Sequence, residues 1–74
     1  MKGSEFLRLL KSLARRRGWD YEWIPDRGKG SHGTLRMNQH LTIVRSLRDE
    51  LKTGTFHGML KQLGVKESDL YERQ

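Results

Sequence analysis

Ser31-His32-Gly33-Thr34-Leu35-Arg36-Met37-Asn38-Gln39-His40-Leu41-Thr42-Ile43-Val44 reads as two short strands joined by a tight turn. The first strand is expected over Ser31 to Met37 and the second over His40 to Val44. Asn38-Gln39 supplies a tight turn between them. Side chains alternate between the two faces of a strand. Leu35 and Met37 share a parity, and Leu41 and Ile43 are expected to pair with them on the core face. His32, Thr34 and Arg36 take the opposite parity, with His40 and Thr42 expected beside them. One face is then apolar and the other polar and cationic. If helices cover only the apolar side, the polar one stays open to a ligand.

Upstream lies Arg27-Gly28-Lys29-Gly30-Ser31-His32-Gly33, rich in glycine, with two cations and no acid. Glycine lets a backbone approach a phosphate closely and adopt positive φ without steric cost. Arg27 and Lys29 suit a polyanion, and His32 can take and give a proton near neutrality. The segment reads as a phosphodiester site, against the plainer alternative of a solvated loop with a surface histidine. Before it, Pro25-Asp26 closes a strand in which Trp19-Asp20-Tyr21-Glu22-Trp23 alternates aromatic and acid. The three aromatics could stack bases. The acids on the opposite face would repel RNA, which favours a core role for the aromatics.

The chain before Gly18 predicts an amphipathic helix. Ser4 is its expected N-cap, and Phe6, Leu7, Leu10, Leu13 and Ala14 form the buried stripe, with Leu9 at its border. Gly18 suits the left-handed residue that ends such a helix. Arg15-Arg16-Arg17 favours the helix dipole at that end and could equally contact an RNA backbone. Downstream, Ser46 to Gly54 is a polar connection from which Leu47 and Leu51 can reach the core. Thr55 is the expected N-cap of a second helix, with Phe56, Met59, Leu60 and Leu63 on one face and Gly64 ending it. Val65 can make the apolar contact that follows such a cap. Ser68 to Tyr71 predicts a last short turn.

Seventy-four residues make one small domain with a thin core. The net charge of +6 favours a polyanionic partner, and it is concentrated early: residues 1–36 carry nine cations and four acids. Cysteine is absent, which excludes disulfides and thiolate metal sites and fits a reducing cytosol. No apolar run approaches a membrane span, and the first residues lack the apolar core of a signal peptide. The expectation is a cytoplasmic protein without a membrane partner.

Several of these segments resemble one family, the HicA-type toxins, small messenger-RNA interferases of type II toxin–antitoxin pairs. The likeness covers nearly the whole length, so residues 1–74 read as a single HicA-like toxin domain. It is carried by the early helix ending in Gly18 before an aromatic, and by Gly30-Ser31-His32 at the head of a strand. Glu50-Leu51-Lys52-Thr53-Gly54-Thr55 and the close of the second helix, Leu60-Lys61-Gln62-Leu63-Gly64, add to it. Thr53 stands where many relatives have proline, and Gly33 where they often have an aromatic or long side chain. The resemblance implies an α+β fold of order α-β-β-β-α, like double-stranded-RNA-binding domains, with both helices on one face of a three-stranded antiparallel sheet. It implies endoribonuclease activity on mRNA and inhibition by a HicB-type antitoxin that covers the His32 face. It carries the catalytic role onto His32, with Gly30 and Ser31 as its motif.

RNA brings its own nucleophile, the 2′-hydroxyl, so such an enzyme needs only proton transfer and stabilisation of the phosphorane. His32 would be general acid or base, a role worth about 10²–10⁴-fold. Lys29 in the loop and Arg36, two positions along the same face, would stabilise charge on the phosphoryl oxygens. Arg27, Lys29, Gly30, Ser31 and Arg36 form the expected RNA-binding set. Neither metal nor cofactor is expected, since the three histidines are scattered without carboxylates at ligand spacing. His40 is a candidate second proton-transfer group by parity, against its plainer reading as a strand-surface histidine. The rival function is a non-catalytic RNA-binding module of the same fold, in which His32 is only a contact.

Overall fold

The computed structural model of the protein describes residues 1–28 and 32–72. Helix α1 (Gly3–Arg17) is followed by strands β1 (Tyr21–Pro25), β2 (Gly33–Met37) and β3 (His40–Val44). Helix α2 (Thr53–Leu63) and the single-turn helix α3 (Glu67–Leu70) complete the order. The three strands form one antiparallel sheet in sequence order. The α+β class and the helix, three strands, helix order thus agree with the sequence reading, and α3 occupies the expected last turn.

The two helical stripes and one face of the sheet make a single core. Phe6, Leu10 and Leu13 of α1 meet Leu35, Met37 and Val44 of the sheet and Met59, Leu60 and Leu63 of α2. Trp19, Tyr21 and Trp23 pack against this cluster while Asp20 and Glu22 are exposed, so the aromatics are core. Gly18 and Gly64 end their helices at φ 69° and 70°, a left-handed conformation that costs glycine little. Val65 follows with its N–H donated to the Leu60 carbonyl and its side chain buried.

Both expected N-caps are displaced. Helix α1 starts at Gly3 with Lys2 as its N-cap, so Ser4 lies inside the first turn. Its first amides need no side-chain acceptor: Ser4 and Gly3 donate to the carbonyls of Leu47 and Asp49, from the connection between β3 and α2. That connection passes so close that a Cβ on Gly3 would collide with the Ser46 carbonyl. Helix α2 starts at Thr53, with Lys52 as N-cap and Thr55 already helical. Strands β1 and β2 also begin two residues later than expected, at Tyr21 and Gly33.

The faces of β3 are the reverse of the expectation. Met37 pairs with His40, Leu35 with Thr42 and Gly33 with Val44, so Thr42 and Val44 point into the core. Leu41 and Ile43 pair with Arg36 and Thr34 and face outward. The cause is the two-residue turn, which puts its flanking residues on one face and fixes every pair beyond them. The turn is held firmly. Asn38, at φ 57°, receives the Asp20 N–H on its side-chain oxygen at 3.1 Å, returns its own N–H to the Asp20 carbonyl, and its carbonyl accepts from Arg36 at 2.6 Å. Inside, the Thr42 hydroxyl donates to Gln62 Oε1 at 2.6 Å, which removes the cost of burying it.

The arginine run is divided. Arg16 donates to Ser12 Oγ and to the Asp69 carbonyl, and Arg17 pairs with Asp69 and Glu72, binding α1 to α3. Arg15 alone of the three has no such partner among the described residues and is exposed.

Candidate functional site

The ladder between β1 and β2 continues one step past its last strand pair, Pro25 with Gly33. The Asp26 N–H donates to the His32 carbonyl at 2.9 Å, so the His32 backbone is fixed to the end of β1. By parity His32 belongs with Thr34 on the face of the sheet away from the helices. It is half-buried in a shallow cleft whose walls include Ile24, Asp26, Arg27, Thr34 and Ile43. Among the described residues none hydrogen-bonds to its ring.

Arg27 and Gly28 form the turn that leaves β1, with Gly28 at φ 81°. That conformation is what a glycine at this point permits. Arg27 is exposed on the rim of the cleft. Lys29, Gly30 and Ser31, the remaining members of the expected loop, lie outside the described residues. Gly33 has a structural reason to be glycine. A Cβ there would stand 2.5 Å from Cζ2 and Cη2 of Trp23 and 2.7 Å from the Ile24 carbonyl. The indole occupies the volume that a side chain at residue 33 would need, on the core side and away from the cleft.

Arg36 is not brought to His32. It lies four residues along β2, about 13 Å at strand rise, and its guanidinium is shared between Glu22 at 3.1 Å and the Asn38 carbonyl. It braces the hairpin turn and remains partly exposed there. His40 is excluded as a partner for His32 by the register: it faces the helix side at the turn end, where a Cβ on Gly64 would be 3.7 Å from its Nε2. His57, on the outer side of α2, pairs with Glu67 at 3.2 Å.

A cation that the sequence reading passed over, Arg45, lies just past the end of β3. The β2–β3 pairing ends at Gly33 with Val44, and His32 and Arg45 are the next residues of the two chain segments. Arg45 is exposed and lines the neighbouring cleft together with Thr34 and Ile43, two residues that also line the cleft of His32. The signal was present in the sequence. A two-residue turn lets residues be paired by counting outward from it, and His32 and Arg45 each stand six positions outward from Asn38 and Gln39.

Among the described residues no three acidic or histidine side chains gather at one point, and no helix is long and apolar enough to cross a membrane. Set beside family models, curated proteins and solved structures, the chain matches none of them.

Proposed function

We propose that this protein is the toxin of a type II toxin–antitoxin pair, an endoribonuclease of HicA type that cleaves mRNA through His32. The fold is then a variant of the double-stranded-RNA-binding domain, acting in the cytoplasm and silenced by a HicB-type antitoxin over the His32 face. One observation carries the reading. His32 stands at the mouth of a cleft on the helix-free face, with Arg27 on its rim and Arg45 just past the last β2–β3 pair, and no described residue engages its ring. A histidine placed for packing would be enclosed; this one faces the side where a ligand can arrive.

The chemistry needs little more. Attack of the 2′-oxygen on the adjacent phosphorus forms the cyclic P–O bond and breaks the bond to the 5′-oxygen. The 2′-hydroxyl proton leaves to a base and the 5′-oxygen gains one from an acid. His32 supplies one of these transfers. Arg27 and Arg45 lower the energy of the extra negative charge in between, a stabilisation that is largest when the cations are already in place. Arg36 acts at a distance, through the turn it braces.

The test is cleavage of an mRNA by the whole protein in excess chelator. Wild type should leave 2′,3′-cyclic phosphate ends or the 3′-phosphates derived from them. His32→Ala should lose at least about 10²-fold in rate while keeping its fold, and a 2′-deoxy substitution at the cleaved nucleotide should stop the reaction. Full activity of His32→Ala removes the site; undiminished cleavage of the deoxy substrate removes the mechanism. RNA binding by His32→Ala without any wild-type cleavage would support the rival reading, a binding module.

A further inference from the structure

The sheet has two outer strands, and they are defended differently. Strand β1 ends in Pro25, which has no N–H to offer, and carries Glu22 on its outward face. Strand β3, His40-Leu41-Thr42-Ile43-Val44, has no proline, glycine, acid or permanent cation. Bare apolar edges invite another strand, and proteins that must not be paired blunt them with proline, charge or a bulge.

Its free groups can be located. Met37 and His40 flank the turn and exchange both their hydrogen bonds, as do Leu35 with Thr42 and Gly33 with Val44. The alternate pairs do not, so the N–H and C=O of Leu41 and Ile43 point away from β2. Among the described residues no backbone group outside the sheet bonds to them. Beyond this edge runs a cleft with Leu41, Ile43 and Arg45 on one wall and Thr55, Gly58 and Gln62 of α2 on the other. A Cβ on Gly58 would meet no atom within 4 Å, which leaves room there for an incoming side chain. Leu41 and Ile43 are 57% and 65% exposed.

We propose that β3 is a docking edge for an extended, acidic segment of a partner protein, which adds to the sheet as a fourth strand. Main-chain hydrogen bonds to Leu41 and Ile43 would give affinity, and alternate side chains would give specificity. On the open face the added strand places apolar residues beside Leu41 and Ile43, with a carboxylate toward Arg45. Toward α2 it carries small residues over Gly58. Charge selects this occupant over a second copy, since two chains of net charge +6 repel each other and an acidic segment is drawn in. Alternating N–H and C=O groups flanked by Leu and Ile suit a strand better than a phosphate backbone. Because Thr34 and Ile43 belong to both clefts, the bound strand lies next to His32. The proposal does not depend on ribonuclease activity.

Three synthetic peptides of about nine residues, alternating valine with serine and carrying glutamate, serine or lysine at the valine-face position nearest Arg45, test it on the full chain by amide exchange and titration. The glutamate peptide should bind tightest and should slow exchange at Leu41 and Ile43, leaving the already bonded Thr42 unchanged. N-methylation of its alternate amides, which alters nothing in the protein, should abolish binding. Leu41→Ser with Ile43→Ser, which removes the apolar flank without changing the charge, should weaken it at least about tenfold. Failure of every peptide to bind, or binding without protection of those two amides, overturns the proposal. So would protection of the same amides by self-association of the chain alone, which assigns the edge to a second copy, or by an RNA oligonucleotide, which assigns it to nucleic acid.

Discussion

The two faces of the sheet alternate residue by residue along β3, and their contents run against hydrophobicity. Thr42 is 3% exposed while its neighbours Leu41 and Ile43 are 57% and 65% exposed. Sliding β3 by one residue would bury a leucine and an isoleucine in place of a threonine and a valine, a gain on the order of 2 kcal/mol. The slip would also break the turn. Three hydrogen bonds converge on Asn38, each worth about 1 kcal/mol, and the Thr42–Gln62 bond inside would be lost as well. Register therefore overrules hydrophobicity. Apolar side chains are left outside because the hairpin's closing residues leave them no other face.

The contrast is sharpest in a pair of leucines. Leu35→Ala, on the enclosed face, should lower unfolding free energy by about 2–5 kcal/mol, read from the denaturant midpoint. Leu41→Ala should change it by no more than about 0.5 kcal/mol. Similar costs at the two positions would mean that the faces are not distinct. Between these extremes lies Gly33→Ala, whose new methyl group meets the Trp23 ring and the Ile24 carbonyl. Overpacking of this kind typically costs about 1–3 kcal/mol. A neutral result would show that the indole can swing aside.

The smallest effect is confined to high pH. Burial pushes the Tyr21 phenol above its ordinary value, and its hydroxyl donates to the Leu7 carbonyl at 3.4 Å. The folded chain thus favours the neutral phenol. Its contribution is fully present below the unfolded value of about 10 and is lost as pH rises through the raised folded one. Tyr21→Phe should therefore flatten the decline of stability above that pH and leave the neutral range almost unchanged. An identical alkaline decline in both proteins would place the titrating group elsewhere.

Element order, both helical stripes, both glycine caps and the aromatic core strand were legible because each is a local pattern. Gly18 and Gly64 follow their stripes directly, and Phe6 to Ala14 carries its helical period within a dozen residues. What failed depended on distant chain. Ser4 and Thr55 looked like caps by type, but the acceptors for the first amides of α1 come from residues 47–49. The polarity of Leu41 and Thr42 suggested the wrong faces, although the two-residue turn already implied the right ones. That error hid Arg45. Arg36 does share the face of His32, as its parity implied, but it lies four residues away with its charge engaged by Glu22. The Arg15–Arg17 run divided for the same reason, because the partners of Arg16 and Arg17 in and just after α3 lie more than fifty residues away.

The indole that forbids a side chain at Gly33 also makes a built-in optical reporter. Trp23 touches the backbone one residue from His32, while the chain's other tryptophan, Trp19, lies under the Arg17 guanidinium at the far end of the sheet. With Trp19 replaced by phenylalanine, emission would come from Trp23 alone. Occupancy of the His32 cleft could then be followed in an unlabelled protein, in real time, by whatever shifts that ring.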